Sequence, residues 1–166
     1  MSVPLAVGGL IAGGGLLYAS MNGYFTSKVS ASDVVIPEFA KPFLEFVDEE
    51  TVKNICLDST WSELCDRSAD FAIIAKDEFA DLLVAVADAV EYQQAIENHT
   101  IKLSHGSPRI YRKYMHAIIE AVRSMRAAIE HKFSSSLDDF DEVAADIQRT
   151  HDDYCGNMLL EAQAIL

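Results

Sequence analysis

The sequence predicts an all-α protein in which an N-terminal transmembrane helix precedes an antiparallel bundle of about three long helices plus one or two short ones. Three observations predict it. No Lys, Arg, Asp or Glu precedes Lys28, and six of the eight glycines fall in the first 23 residues, so an apolar segment is joined to a charged remainder. Within that remainder, apolar residues recur at alternating steps of four and three, the period of a buried helix face. No stretch alternates with a two-residue period over strand length, and Gly and Pro are nearly absent after residue 42. With 166 residues, 50 % of them hydrophobic and 23 % charged, a packed core is available and wholesale disorder is not expected. The expected organisation is an anchor over residues 1–25, a linker over 26–37 and an acidic helical domain over 38–166.

From Val3 to Ala19 the chain reads VPLAVGGLIAGGGLLYA, 17 uncharged residues. As a helix they extend roughly 25 Å, close to the hydrocarbon thickness of a bilayer. Tyr18, Tyr24 and Phe25 gather near the far end, where amphipathic rings favour the headgroup layer. Five glycines weaken a helix in water, but in lipid the unsatisfied backbone of any other conformation costs more. Gly9 and Gly13 form a GxxxG pair, a flat face on which a second helix can pack closely. The competing reading is a cleaved secretory signal, since Tyr18-Ala19-Ser20 resembles the end of such a segment, but the basic residues that open a signal are missing. Lys28 and Lys41 flank the segment on its C-terminal side, so the positive-inside tendency leaves the domain on the cytoplasmic side of a single-pass membrane protein. A glycan on the Asn98-His99-Thr100 sequon would reverse that orientation.

Residues 26–37 mix Ser, β-branched residues and a terminal Pro37, as an extended linker does. From Glu38 to Leu57, Phe39, Phe43, Phe46, Val47 and Ile55 recur at helical steps, and Pro42 fits a first turn, which predicts one or two short helices. This phenylalanine strip either lies on the membrane or packs on the bundle. Asp48, Glu49 and Glu50 would be repelled by anionic headgroups, which favours packing. Thr60-Trp61-Ser62-Glu63 has the form of a capping box and predicts a helix start near Trp61. Beyond it Ala75, Phe79, Leu82, Val86, Ala89, Gln93 and Ile96 make one stripe of a long amphipathic helix.

His105-Gly106 breaks the pattern, and Ser107-Pro108 supplies a cap followed by Pro at the first helical position. The stripe of the next helix is Tyr111, Met115, Ile118, Val122, Met125 and Ile129, ending near Phe133. A last helix is capped by Ser136, with Asp138, Asp139, Asp141 and Glu142 in its first turns, where carboxylates meet the positive helix end. Phe140, Ile147, Tyr154, Met158 and Ile165 mark its apolar face. Short connections leave only antiparallel neighbours, so the long helices run up, down and up.

The formal net charge is −13, with 26 acidic and 13 basic residues. Residues 102–133 invert this balance: seven basic residues face two acidic ones there, a net +5, so the remainder sums to −18. A basic helix between acidic ones pairs naturally with its neighbours. Nucleic acid is not an expected partner, because the overall charge repels a polyanion. Arg109, Arg112 and Lys113, together with Phe39, Phe43 and Phe46, are the candidate contacts to other protein subunits. Cys56, Cys65 and Cys155 form no CxxC pair and read as packed thiols. His151 and Cys155 share a helix face one turn apart, but no second pair is spaced to complete a zinc site. The residues three before the five histidines are Ile96, Lys102, Lys113, Ala128 and Gln148, so the Glu-x-x-His of a di-iron bundle is missing. HExxH, P-loop, GxGxxG and GxSxG patterns are missing too. No catalytic residue, cofactor or metal is therefore expected, and the chain is read as a structural protein, not an enzyme. A buried polar pocket converging on His116, His131 or His151 would favour catalysis instead.

The combination of MSVPLAVGGLIAGGGLLYA, a short linker and a compact helical domain resembles the membrane-anchored minor capsid proteins of large icosahedral double-stranded DNA viruses. The resemblance is one of layout, and no functional residue is carried over from it. It implies a tether or spacer between an inner virion membrane and the capsid proteins of the shell. The alternative with the same layout is an accessory subunit of a membrane enzyme complex, such as one of the mitochondrial inner membrane.

Overall fold

The computed structural model describes residues 34–98, 107–132 and 136–165. The expected anchor, with Gly9, Gly13, Tyr18, Tyr24 and Phe25, and most of the linker lie outside the described residues. Among the described residues no helix is long and apolar enough to cross a membrane, and there is no strand.

Five α-helices follow a short 3-10 helix over Glu38–Glu45: α1 (Glu49–Ile55), α2 (Ser59–Ser68), α3 (Lys76–Glu97), α4 (Ser107–Lys132) and α5 (Leu137–Ile165). The first piece is 3-10 and not α, and Pro42 sits inside it instead of in a first turn. A proline has no N–H to give an i−4 carbonyl and its ring crowds that carbonyl, so the tighter winding is the accommodation. Phe43 and Phe46 both meet Phe79 of α3 edge-on, with ring centroids 5.9 and 5.1 Å apart. The phenylalanine strip therefore packs on the bundle.

The helix expected near Trp61 is α2, but its cap differs from the expected box. The side chain of Asp58, not Thr60, accepts the Trp61 N–H at 3.0 Å. After Ser68 the chain tightens into a 3-10 turn over Ala69–Phe71, and α3 starts afresh at Lys76 with Asp77 and Glu78 in its first turn. The α3 stripe from Ala75 to Ala89 is buried, while Gln93 and Ile96 are half-buried. All six stripe residues of α4 are buried, and its 26 residues match the expected span to within a residue or so at each end. Phe140, Ile147 and Met158 of α5 are buried as expected.

Contacts between side chains fix the directions. Tyr92, late in α3, meets Tyr111, early in α4, while Lys132 at the end of α4 donates to the Ile74 carbonyl before α3. Arg126 and Asp141, then His116 and His151, set α5 antiparallel to α4. Against α5 run Trp61 on Tyr154, Arg67 on Asp146 and Phe71 on Phe140, so α2 is antiparallel to α5 as well. The result is an up-down-up-down arrangement whose fourth member is the ten-residue α2, with α1 packed outside on α3. The expected three long helices are present; α2 completes the bundle instead of merely leading into it.

Candidate functional site

One end of this bundle collects the polar interior. Asp58 precedes α2, and its carboxylate does more than cap that helix. Its Oδ2 accepts the Tyr154 hydroxyl of α5 at 2.9 Å and the Gln93 side-chain amide of α3 at 3.3 Å. Gln93 Oε1 in turn accepts the Tyr111 hydroxyl of α4 at 3.2 Å, and its amide also reaches Glu97 at 3.2 Å. Four helices are thus joined by one carboxylate–amide–phenol network. Burial is the main force lifting both phenols well above their ordinary range, and the Asp58 charge adds to it, so they remain neutral donors. Beside the network, the Trp61 ring stands edge-on to Tyr154, and its buried indole N–H has no hydrogen-bond partner among the described residues.

One turn away lies a second polar group. His151 is 8 % exposed, its Nδ1 is 3.0 Å from Asp152 Oδ1, and its Nε2 is 3.9 Å from Cys155 Sγ. The ring of His116 on α4 meets His151 edge-on at 5.6 Å. Thiol, imidazole and carboxylate in that order have the form of an activated nucleophile. Their chemistry here runs the other way: burial raises the Cys155 thiol, only partly offset by the Arg112 charge, whereas a nucleophile needs its thiolate favoured. His116 and His151 do come together, while His131 is exposed at the opposite end of α4, so the three histidines do not converge on one pocket. Among the described residues no group of three His, Cys, Asp or Glu side chains is arranged to hold a metal ion.

The basic helix divides into two halves. In its C-terminal half, Arg126 grips Asp141 of α5 through two hydrogen bonds of 2.8 and 3.2 Å, and Arg123 pairs with Glu120 at 3.2 Å. The Arg126–Asp141 contact is the pairing with a neighbouring helix that the charge pattern predicts, whereas Arg123–Glu120 lies within α4. In the N-terminal half, Arg109, Arg112 and Lys113 are exposed. They have no ion pair or side-chain hydrogen bond among the described residues. Of the three candidate phenylalanines, Phe43 is wholly buried, Phe46 is half-buried against Phe79, and Phe39 is 41 % exposed. Phe39 alone of the three keeps substantial surface for another molecule.

The network was missed by local sequence reading, although a signal was present. Gln93, Tyr111 and Tyr154 occupy stripe positions otherwise filled by apolar residues, and in antiparallel helices those positions fall at one level. Three polar tips on one level of a core require a common partner. Comparison with models of protein families, with curated proteins and with solved structures finds no match.

Proposed function

We propose that this chain is a non-enzymatic tether, a membrane-embedded segment carrying an acidic helical bundle whose surfaces bind other protein subunits. The observation that carries the reading is the division of charge. Before Lys28 no side chain is ionisable except the weakly acidic Tyr18 and Tyr24, and from Lys28 onward there are 26 acidic and 13 basic residues. The bundle supports it, since a carboxylate network tying four helices makes a stiff spacer. In the form that the layout resembles, the tether is a minor capsid component between an inner virion membrane and the shell.

The test is flotation of the full-length protein with phospholipid vesicles. The expected result is that it rises with lipid, resists extraction by high salt and is released by detergent, and that deleting residues 3–19 abolishes flotation. A freely soluble monomer whose behaviour is unchanged by that deletion would overturn the tether. Copurification with intact capsids, as against a membrane enzyme complex, decides which assembly it serves.

A further inference from the structure

We propose that the exposed face at the start of α4 is a docking surface for an acidic protein segment that also carries apolar side chains. It rests on the reading of the bundle as a binding module and names the partner's chemistry. In a chain with twice as many acidic as basic residues, carboxylates outnumber the cations that they could pair with. Among the described residues six of the other eight cations pair with a carboxylate: Lys41 with Glu38, Lys53 with Glu49, Arg67 and Arg149 with Asp146, Arg123 with Glu120 and Arg126 with Asp141. Lys132 is held by the Ile74 carbonyl, and Lys76 stands alone. Arg109, Arg112 and Lys113 are different: three exposed cations within two helical turns, none of them in an ion pair with a carboxylate among the described residues, although the Arg112 charge is felt at Cys155.

Apolar surface is interleaved with that charge. Ile110 is 44 % and Tyr114 36 % exposed, and they stand one turn apart beside Arg109 and Lys113. The Tyr114 ring lies on Tyr92 of α3, with centroids 5.1 Å apart and planes tilted by 35°, so it is held in place before any partner arrives. A patch of fixed aromatic, aliphatic and cationic groups suits a peptide that offers both carboxylates and apolar anchors. A nucleic acid fits it less well. One face of Tyr114 is already occupied, and three cations on a strongly acidic body do not make a track for a phosphate backbone. A bilayer fits less well too. Residues 34–43 join the bundle at Phe79, whereas the patch lies beside Tyr92, roughly 20 Å further along α3.

The full-length protein in detergent micelles is to be screened against a displayed library of short random peptides, with the Arg109→Glu/Lys113→Glu variant as counter-screen. The expected result is enrichment of acidic sequences bearing Leu or aromatic residues, lost on the variant. A synthetic peptide of the enriched type is then expected to bind the variant at least about tenfold more weakly. It should bind Tyr114→Ala about threefold more weakly, and more weakly in about 300 than in about 50 mM salt. These positions are exposed, so circular dichroism should show native helicity; Arg109→Gln/Lys113→Gln serves if charge reversal does not fold. No enrichment, or equal enrichment on the variant, overturns the proposal. So does charge-dependent binding of a duplex DNA or of phosphatidylserine vesicles without peptide binding. Failure of the flotation test leaves peptide binding unaffected, so the two readings fall separately.

Discussion

Asp58 holds α2, α3 and α5 through three hydrogen bonds from Trp61, Gln93 and Tyr154, and through Gln93 it also reaches Tyr111 of α4. Asp58→Ala removes a cap and strands a half-buried hydroxyl and amide, so a loss of about 1–3 kcal/mol is expected in urea unfolding. Asp58→Asn keeps an acceptor for the cap and one side-chain partner, and should cost about 1 kcal/mol. Equal losses for the two would show that the carboxylate acts by packing alone. The thiols make a second expectation at this scale. Burial pushes Cys56 up to about 12 and Cys65 higher still, and Cys155 is raised by desolvation. Alkylation near pH 8 should therefore be slow at all three in the native protein and become fast on unfolding; prompt native labelling of Cys65 would contradict its burial.

Among the elements, α4 was the most legible, because its 4,3,4,3 stripe, the Ser107-Pro108 start and the single buried face all agree. The order α3, α4, α5 and their antiparallel sense came from short connections. The start of α2 did not. Asp58 and Thr60 are both good caps locally, and what decides between them is the reach of Asp58 to Gln93 and Tyr154, which a local reading does not contain. The gap before α3 has no Gly or Pro to announce it. It arises because Phe71 turns in to meet Phe140, with centroids 5.1 Å apart. The candidate contacts were half legible: the basic helix was visible as composition, but which cations were left unpaired depends on where the carboxylates of α5 fall. The tie between α2 and α5 can be divided by mutation. Phe71→Ala should cost about 3 kcal/mol through the lost ring and the cavity. Arg67→Ala should cost under about 1 kcal/mol, since the Arg67–Asp146 pair at 2.7 Å is only partly shielded from water. A larger loss from Arg67→Ala would mean that this ion pair, not the ring stack, fastens the fourth helix.

For the whole molecule, charge and stability are coupled with a definite sign. The Thr51 hydroxyl and amide hold Asp48 below the ordinary 3.8, Arg67 and then Arg149 do so for Asp146, and His151 and then Gln148 for Asp152. A folded-state value below the unfolded one gives stability that is complete above about pH 4 and is lost as pH falls through the folded values. Asp88 has the opposite sign, because burial raises it and protonation relieves that cost. The net charge of −13 adds a separate effect, a self-repulsion that shrinks as carboxylates begin to protonate. Between about pH 7 and pH 5 the melting temperature should therefore hold or rise, and below about pH 4 it should fall as the three depressed carboxylates are lost. Added salt should raise it near pH 7, where repulsion dominates, and do little near pH 5. Thermal melts monitored by circular dichroism across this range, at low and high salt, check both parts. A melting temperature that declines steadily from pH 7 downward would mean that favourable ion pairs outweigh the surplus charge.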